Sequence, residues 1–444
     1  MGLRLWRVLG LVGAVMLAAG GAACAGELPD HPLSLDECIA LARQYNPSLT
    51  VARENVVISE AGVRRVLSQY YPTAALDVIR GRTGGTSFVD TAAGPIPFAI
   101  SVTRRESDVS LNYLVWQTGR GHSLERARRE LSASVAQQDT TAQDLILSVS
   151  QRYYAALAQE GLVEVAALTL QAARQHEELV RARASVGESP PIDVIPAEAD
   201  TAAAEYGMIQ AENAAAVAKA SLKREIGLPA TYELRLEPAS LAETEEPLPT
   251  LGQALSIALA RRPEARALRE RTEAAAADVR LAEAYQRGAF TVSTEYVRGI
   301  SGPREGVSWA AVASVTAYLF DGGARRADVE SARAALRSLE AQQQDLANAI
   351  GLQVESALLD VETARKSLEA AEKAVASAEA QLAAAEGKYR EGVGIFVEIL
   401  DAQRAAARAR TDRVSAVYDY HAALLALRKA MGVLGPLPSD ERSP

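Results

Sequence analysis

The chain has 444 residues, a formal net charge of −9, 48% hydrophobic residues and 5% aromatics. That hydrophobic share excludes a disordered chain, and the acidic balance argues against nucleic acid as the main partner, because phosphate binding needs clustered Lys and Arg. Two cysteines exclude a disulfide-dense scaffold or a Cys-rich metal site, and with only five Phe and three Trp the alanine-rich composition points to close-packed helices.

The N-terminus has the layout of a secretory signal. Arg4 and Arg7 form a short positive region, Val8 to Gly20 is apolar, and small residues run from Gly21 to Ala25. A signal peptide is expected over 1–23, with cleavage after Ala23 or after Ala25. Cys24 leaves two readings open. The small residues before it resemble a bacterial lipoprotein signal, in which that cysteine is lipidated, but Gly21 stands where such a signal prefers leucine. Cys38, inside a helical pattern, is expected to be a small buried residue.

From residue 33 the chain is two copies of one unit. The first, 33–227, opens on the helical pattern Leu35-Asp-Glu-Cys-Ile-Ala-Leu-Ala-Arg-Gln-Tyr-Asn-Pro47. Strands are predicted at about 74–80 and 108–116, separated by a loop rich in Gly, Thr and Pro from Gly81 to Glu106. No proline occurs from Gly119 to Ser185, so one helix is predicted over 119–185, about 100 Å at ~1.5 Å per residue. A turn at Gly187, Glu188 and Ser189 leads to a returning helix over 192–226. The connector, 228–249, is rich in Pro and Glu and carries one strand-like run, Tyr232 to Leu236.

The second copy, 250–434, repeats the opening 216 residues on, with Leu35 on Leu251, Ala42 on Ala258 and Pro47 on Pro263. From the second strand onward the offset is 205: Tyr113 falls on Tyr318, Leu131 on Leu336 and Gly187 on Gly392. Strands are predicted at about 290–297 and 307–320, and helices over 324–386 and 396–431, with a turn at Gly392, Val393 and Gly394. Within the long helix, Val361, Ala364, Leu368, Ala371, Val375, Ala378, Leu382 and Ala385 keep a heptad spacing suited to coiled-coil-like packing. The tail, 435–444, is expected to be disordered. Downstream of the signal no apolar run reaches the ~20 residues of a spanning helix. A membrane crossing would need strands. Four strands cannot close a barrel, whereas three copies would supply twelve.

Tyr318-Leu-Phe-Asp-Gly-Gly-Ala-Arg-Arg326 and Tyr389-Arg-Glu-Gly-Val-Gly-Ile-Phe-Val-Glu-Ile-Leu-Asp-Ala-Gln403, with the breaks Asn46-Pro47 and Arg262-Pro263, resemble the TolC-like outer-membrane efflux proteins. The resemblance covers nearly all of Leu33 to Leu434. It implies a mainly α fold with a small transmembrane β part: a trimeric twelve-stranded β-barrel in the outer membrane of a Gram-negative bacterium, continued by a periplasmic α-helical barrel. The implied role is the exit duct of a tripartite efflux or type I secretion system. The implied partners are two further copies of the chain, a periplasmic adaptor, an inner-membrane pump and outer-membrane lipid.

In that family acidic residues ring the narrow periplasmic end, and the matching positions are Glu398 and Asp401, three apart on one helix face. The same acids also suit a first helical turn through the helix dipole. Asp193 is the first-copy counterpart of Glu398, whereas Pro196 stands opposite Asp401. Tyr389 matches a tyrosine that helps tie the closed state, and Gly394 stands where the family has an arginine. The turns Gly187, Glu188, Ser189 and Gly392, Val393, Gly394 are the implied adaptor-docking ends.

Enzyme signals are weak. His31, His122, His176 and His421 are scattered, and His176-Glu-Glu lacks the second histidine of a zinc helix. No nucleophile elbow or phosphate loop occurs, so no catalytic role, cofactor or metal is expected. A periplasmic coiled-coil scaffold or adaptor is the rival reading, and it leaves the strands unexplained.

Overall fold

The computed structural model describes residues 29, 31–187, 190–237, 248–284, 288–301, 304–317, 319–391, 393 and 396–434. The expected signal with Cys24, the turn residues Glu188, Ser189, Gly392 and Gly394, the junction residue Tyr318 and the tail lie outside the described residues.

The first unit comprises α1 (Leu35–Tyr45), α2 (Pro47–Ser68), β1 (Thr73–Thr91), β2 (Gly94–Gln117), α3 (Arg120–Ser185) and α4 (Val194–Ile226). The second comprises α5 (Leu251–Arg261), α6 (Pro263–Ala284), β3 (Ala289–Ser301), β4 (Arg304–Thr316), α7 (Ala324–Arg390) and α8 (Phe396–Ala430). Each opening helix starts on a reciprocal cap, Ser34 with Glu37 and Thr250 with Gln253, so the exposed N–H groups of the first turn are satisfied locally.

The proline that follows ends that helix and starts the next. Asn46 accepts the Ser48 N–H at 2.8 Å, capping α2, and donates through its amide to the Glu225 carbonyl at 2.6 Å. In the second unit the buried Arg262 takes this place, donating to Gln353 Oε1 at 2.6 Å and lying 3.1 Å from Glu264. Both breaks receive the end of the returning helix. Gly227 (φ +91°) lies so close that a Cβ would stand 2.7 Å from the Tyr45 carbonyl oxygen. Gly432 (φ +70°) repeats the contact, with a Cβ 2.9 Å from the Arg262 nitrogen. The duplication is therefore structural as well as sequential.

Around the first break Leu33, Cys38, Val149, Tyr153, Leu222 and Ile226 form a buried core. The strand-like run of the connector reduces to one parallel bridge, Leu33 with Leu236, locked by the Tyr153 hydroxyl donating to the Glu237 carbonyl at 2.7 Å. Burial pushes the Cys38 thiol up to about 12. The long helices pair as antiparallel hairpins, α3 with α4 and α7 with α8. The heptad positions Val361, Ala371, Ala378 and Ala385 are buried on α7. Ala378 packs with Ala406 and Ala409, and Ala385 with Ile399 and Ala402. Small residues at the contact let the two backbones approach.

The strands form one antiparallel sheet in the order β1-β2-β3-β4, with β1 and β4 at its edges. The expected loop from Gly81 to Glu106 is instead strand on both sides of a two-residue turn, Thr91 pairing with Gly94. Thr91 Oγ1 donates to the Gly94 carbonyl at 2.8 Å, and Gly94 takes φ +109°. Pro95 and Pro97, two apart, direct their ring nitrogens to the same edge of β2. Pairing of β2 with β3 begins only at Arg104, so beyond it β2 has an edge without a strand, where proline is tolerated. Residues 94–103 pair with β1 alone, and the first hairpin overreaches the second by about 34 Å at ~3.4 Å per residue. β4 ends at Thr316 rather than Phe320, leaving Leu319 and Phe320 outside it and exposed.

The register Leu76–Val109–Tyr296–Trp309 runs across all four strands on one face. Val78, Leu111, Val307 and Val315 extend that exposed apolar face. The opposite face carries Asp77, Asp108, Ser110 and Glu295, as alternation requires.

Replacing Gly227 by Ala adds a Cβ against the Tyr45 backbone at a left-handed position. The expected loss is about 2 kcal/mol, read as a lower denaturation midpoint. Gly62 in α2, where an added Cβ would meet nothing within 4 Å, serves as the control. Gly62→Ala is expected to be neutral or stabilising by up to ~1 kcal/mol.

Candidate gate and docking ends

The far tip of the second hairpin is organised by what α8 must bury. Ile399 and Ala402 turn inward onto Ala385, with Tyr389 packed partly against them. That leaves Glu398 and Asp401 on the exposed side of the first two turns of α8, sharing one face. Arg404 follows at the same spacing, and its guanidinium crosses to Asp200 on α4 at 2.8 Å. Nearer the turn, the Arg183 guanidinium of α3 lies over the Tyr389 ring, 4.5 Å from its centroid.

Two contacts thus tie the first hairpin to the second close to their tips. The family resemblance singles out Tyr389, but nothing in the sequence points to Arg183 beside it or to the Arg404–Asp200 pair. Each is an ordinary surface charge on its own helix, and only the packing of one copy against the other makes it a partner.

Gly187 ends α3 with φ +80°, its N–H donating to the Ala184 carbonyl at 3.2 Å. Around the two turns Val186, Ile192, Ile195, Val393 and Val397 are all exposed, with Val393 at 77%. An apolar cluster in water at a hairpin end is the character of a contact surface.

Between α3, α4, α7 and α8 runs a groove of about 550 Å³, walled by Leu162, Val165, Ala203, Leu382 and Ala406 and closed by His176, Asp200 and Arg404. Burial pushes the His176 imidazole below its usual range, Asp200 opposes this and Arg183 adds to it. Higher in the bundle His421 stacks on Tyr154 at 5.3 Å, joining α8 to α3, and burial lowers its pKa too. Among the described residues no group of three or more His, Cys, Asp or Glu is placed to hold a metal ion.

A family model of outer membrane efflux proteins matches residues 38–228 and 254–433. The chain is 30% identical over 420 residues to Protein CyaE of Bordetella pertussis, covering 93% of this chain and 86% of that protein. It is 25% identical over 408 residues to the pyoverdine export outer membrane protein OpmQ of Pseudomonas putida, covering 90% and 85%. Among solved structures, the open-state MtrE outer membrane channel of Neisseria gonorrhoeae superposes with a TM-score of 0.73 at 22% identity, covering 90% of this chain and 89% of that one.

Because folding favours the neutral form of His176 and His421, their contribution to stability is full above the unfolded imidazole pKa of ~6.5 and is lost as pH falls below it. The thermal midpoint is expected to be lower at pH ~5.5 than at pH ~7.5. The double variant His176→Gln, His421→Phe should flatten most of that slope, as followed by circular dichroism.

Proposed function

The chain belongs to the outer membrane efflux protein family, and on that premise we propose that three copies join edge to edge into a twelve-stranded barrel continued by a tunnel of α3, α4, α7 and α8. The protein is an outer-membrane export duct. The observation that carries the trimer is the four-stranded sheet with two open edges, apolar on one face and acidic on the other. Lipid does not tolerate such edges, and β4 of one copy supplies what β1 of the next lacks.

The helices leave the strand ends opposite the hairpin tips, so they extend into the periplasm and the β tips face outward. The first copy of the unit, 33–227, and the second, 250–434, then alternate around the axis after removal of the 1–23 signal. The turns at Gly187, Glu188, Ser189 and Gly392, Val393, Gly394 dock a periplasmic adaptor, which connects the duct to an inner-membrane pump. The exposed Val186, Ile192, Ile195 and Val393 support that end as the contact surface. Glu398 and Asp401 line the narrow end, where six carboxylates would favour cations. Arg183 on Tyr389 and Arg404 on Asp200 hold the closed arrangement, taking over from the family arginine replaced by Gly394.

Mass measurement in mild detergent should find trimers. A stable membrane-inserted monomer would refute the shared barrel. In planar bilayers, Glu398→Gln with Asp401→Asn should move the reversal potential toward lower cation preference while trimers persist. Unchanged selectivity would put the two acids outside the lumen. Arg183→Ala with Arg404→Ala should raise resting conductance instead.

A further inference from the structure

Within one copy of the chain, α6 of the second unit packs on α3 of the first. The repeats of those two helices leave the equivalent surfaces bare. α2 recurs as α6, 216 residues on, and α3 recurs as α7, 205 residues on. Ala267 and Ala274 of α6 are 2% and 5% exposed, whereas their counterparts on α2, Val51 and Ile58, are 60% and 68% exposed. Seven residues apart, Val51 and Ile58 share one face, turned away from the buried Ala52 and Val56 of the same helix. On the other side of the contact, Ala133 and Ala136 are buried on α3, and their counterparts Ser338 and Ala341 are exposed on α7.

Shape and charge both match. Arg126 and Arg129 of α3 reach Asp278 and Glu270 of α6 at 3.2 and 3.1 Å, and Arg280 of α6 reaches Glu125 of α3 at 2.8 Å. On α7 the two arginines are replaced by Ser331 and Ala334. Long side chains of α3 therefore lie over alanines of α6. Across the equivalent surfaces the sizes are exchanged, with Val51 and Ile58 large on α2 and Ala334, Ser338 and Ala341 small on α7. Of the three charged links, Arg280–Glu125 alone has charged counterparts on both sides, Arg64 on α2 and Glu330 on α7. Both are exposed, and among the described residues neither forms an ion pair within its own copy. Glu60 stands one turn before Arg64, and Arg326 and Arg333 stand one turn to either side of Glu330, but Arg333 is held by Glu283 at 2.7 Å.

We propose that α2 of one copy seats on α7 of the next, with Val51 and Ile58 covering Ala334, Ser338 and Ala341 of the partner subunit and Arg64 paired with Glu330 of the partner subunit. This rests on the trimer proposed above. It continues the β4-to-β1 junction, because at both places the second unit of one copy receives the first unit of the next. In the detergent-solubilised trimer, Arg64→Cys with Glu330→Cys and a short bismaleimide should give covalent dimers and trimers on a denaturing gel, and neither substitution alone should do so. Arg64→Glu or Glu330→Arg alone should lower the trimer association constant about tenfold, since three seams each gain a like-charge pair. The double reversal should restore it. Ile58→Asp should also weaken association while leaving helix content by circular dichroism unchanged. Trimers by mass that fail to cross-link, a double reversal no better than either single one, or an Ile58→Asp trimer as stable as the wild type would each overturn this seam and leave the trimer standing. Monomers alone by mass would overturn both.

Discussion

Inside hydrocarbon a backbone amide that finds no acceptor has no water to turn to, at several kcal/mol for each group left bare. One chain ends its sheet on β1 and β4, so it carries two rows of such groups. In the proposed trimer, another copy of the chain closes those rows. The strands stand at one end and the long helices leave together from the other. The faces are sorted so that Trp309 and Val109 point one way and Asp108 and Glu295 the other. A duct needs a wet inside and a greasy outside, and alternation along the strands supplies most of both, with Ile79 and Val312 as exposed apolar exceptions on the acidic face.

The helical part solves a different problem, that of reach. The 66 residues of α3 and 67 of α7 take most of their helical stability from packing rather than from propensity. Their packing is a seam of small contributions, Val361 and a run of alanines, repeated over many turns. Larger side chains gather where direction must be fixed: Tyr153 and Leu222 at the first helix break, Ile350 and Val354 at the second. The two units are joined along much of their length, by the ion pairs Arg126–Asp278, Arg129–Glu270, Arg280–Glu125 and Lys429–Asp144 among others. Tyr154 with Tyr418 and His421 joins the copies midway, and Tyr389 with Arg183 joins them near the tip.

Much of this is written in local patterns. The heptad seam, the proline breaks and the repeat offsets depend on spacing within one element, and spacing survives in the bare sequence. The ribbon from Gly81 to Glu106 is less legible. Gly84, Gly85, Pro95 and Pro97 are turn residues by composition, yet a two-stranded ribbon with one unserved edge accommodates them. The end of β4 is hidden because Leu319 and Phe320 continue the apolar run after the sheet has stopped. At the candidate gate, Glu398 and Asp401 carry a family motif, whereas Arg183, Asp200 and Arg404 become visible only when α3 and α4 are laid against α7 and α8.

The outer reach of the first β-hairpin has a consequence for how this surface changes over generations. Among the described residues, 94–103 are bonded to β1 and to no other strand of the sheet. A substitution there disturbs one neighbour and leaves the barrel register, the helix breaks and the tunnel alone. In the proposed orientation, an antibody or bacteriophage arriving from outside meets this ribbon first. Selection by such visitors can therefore rewrite the part of the protein they recognise, while the passage beneath keeps its shape.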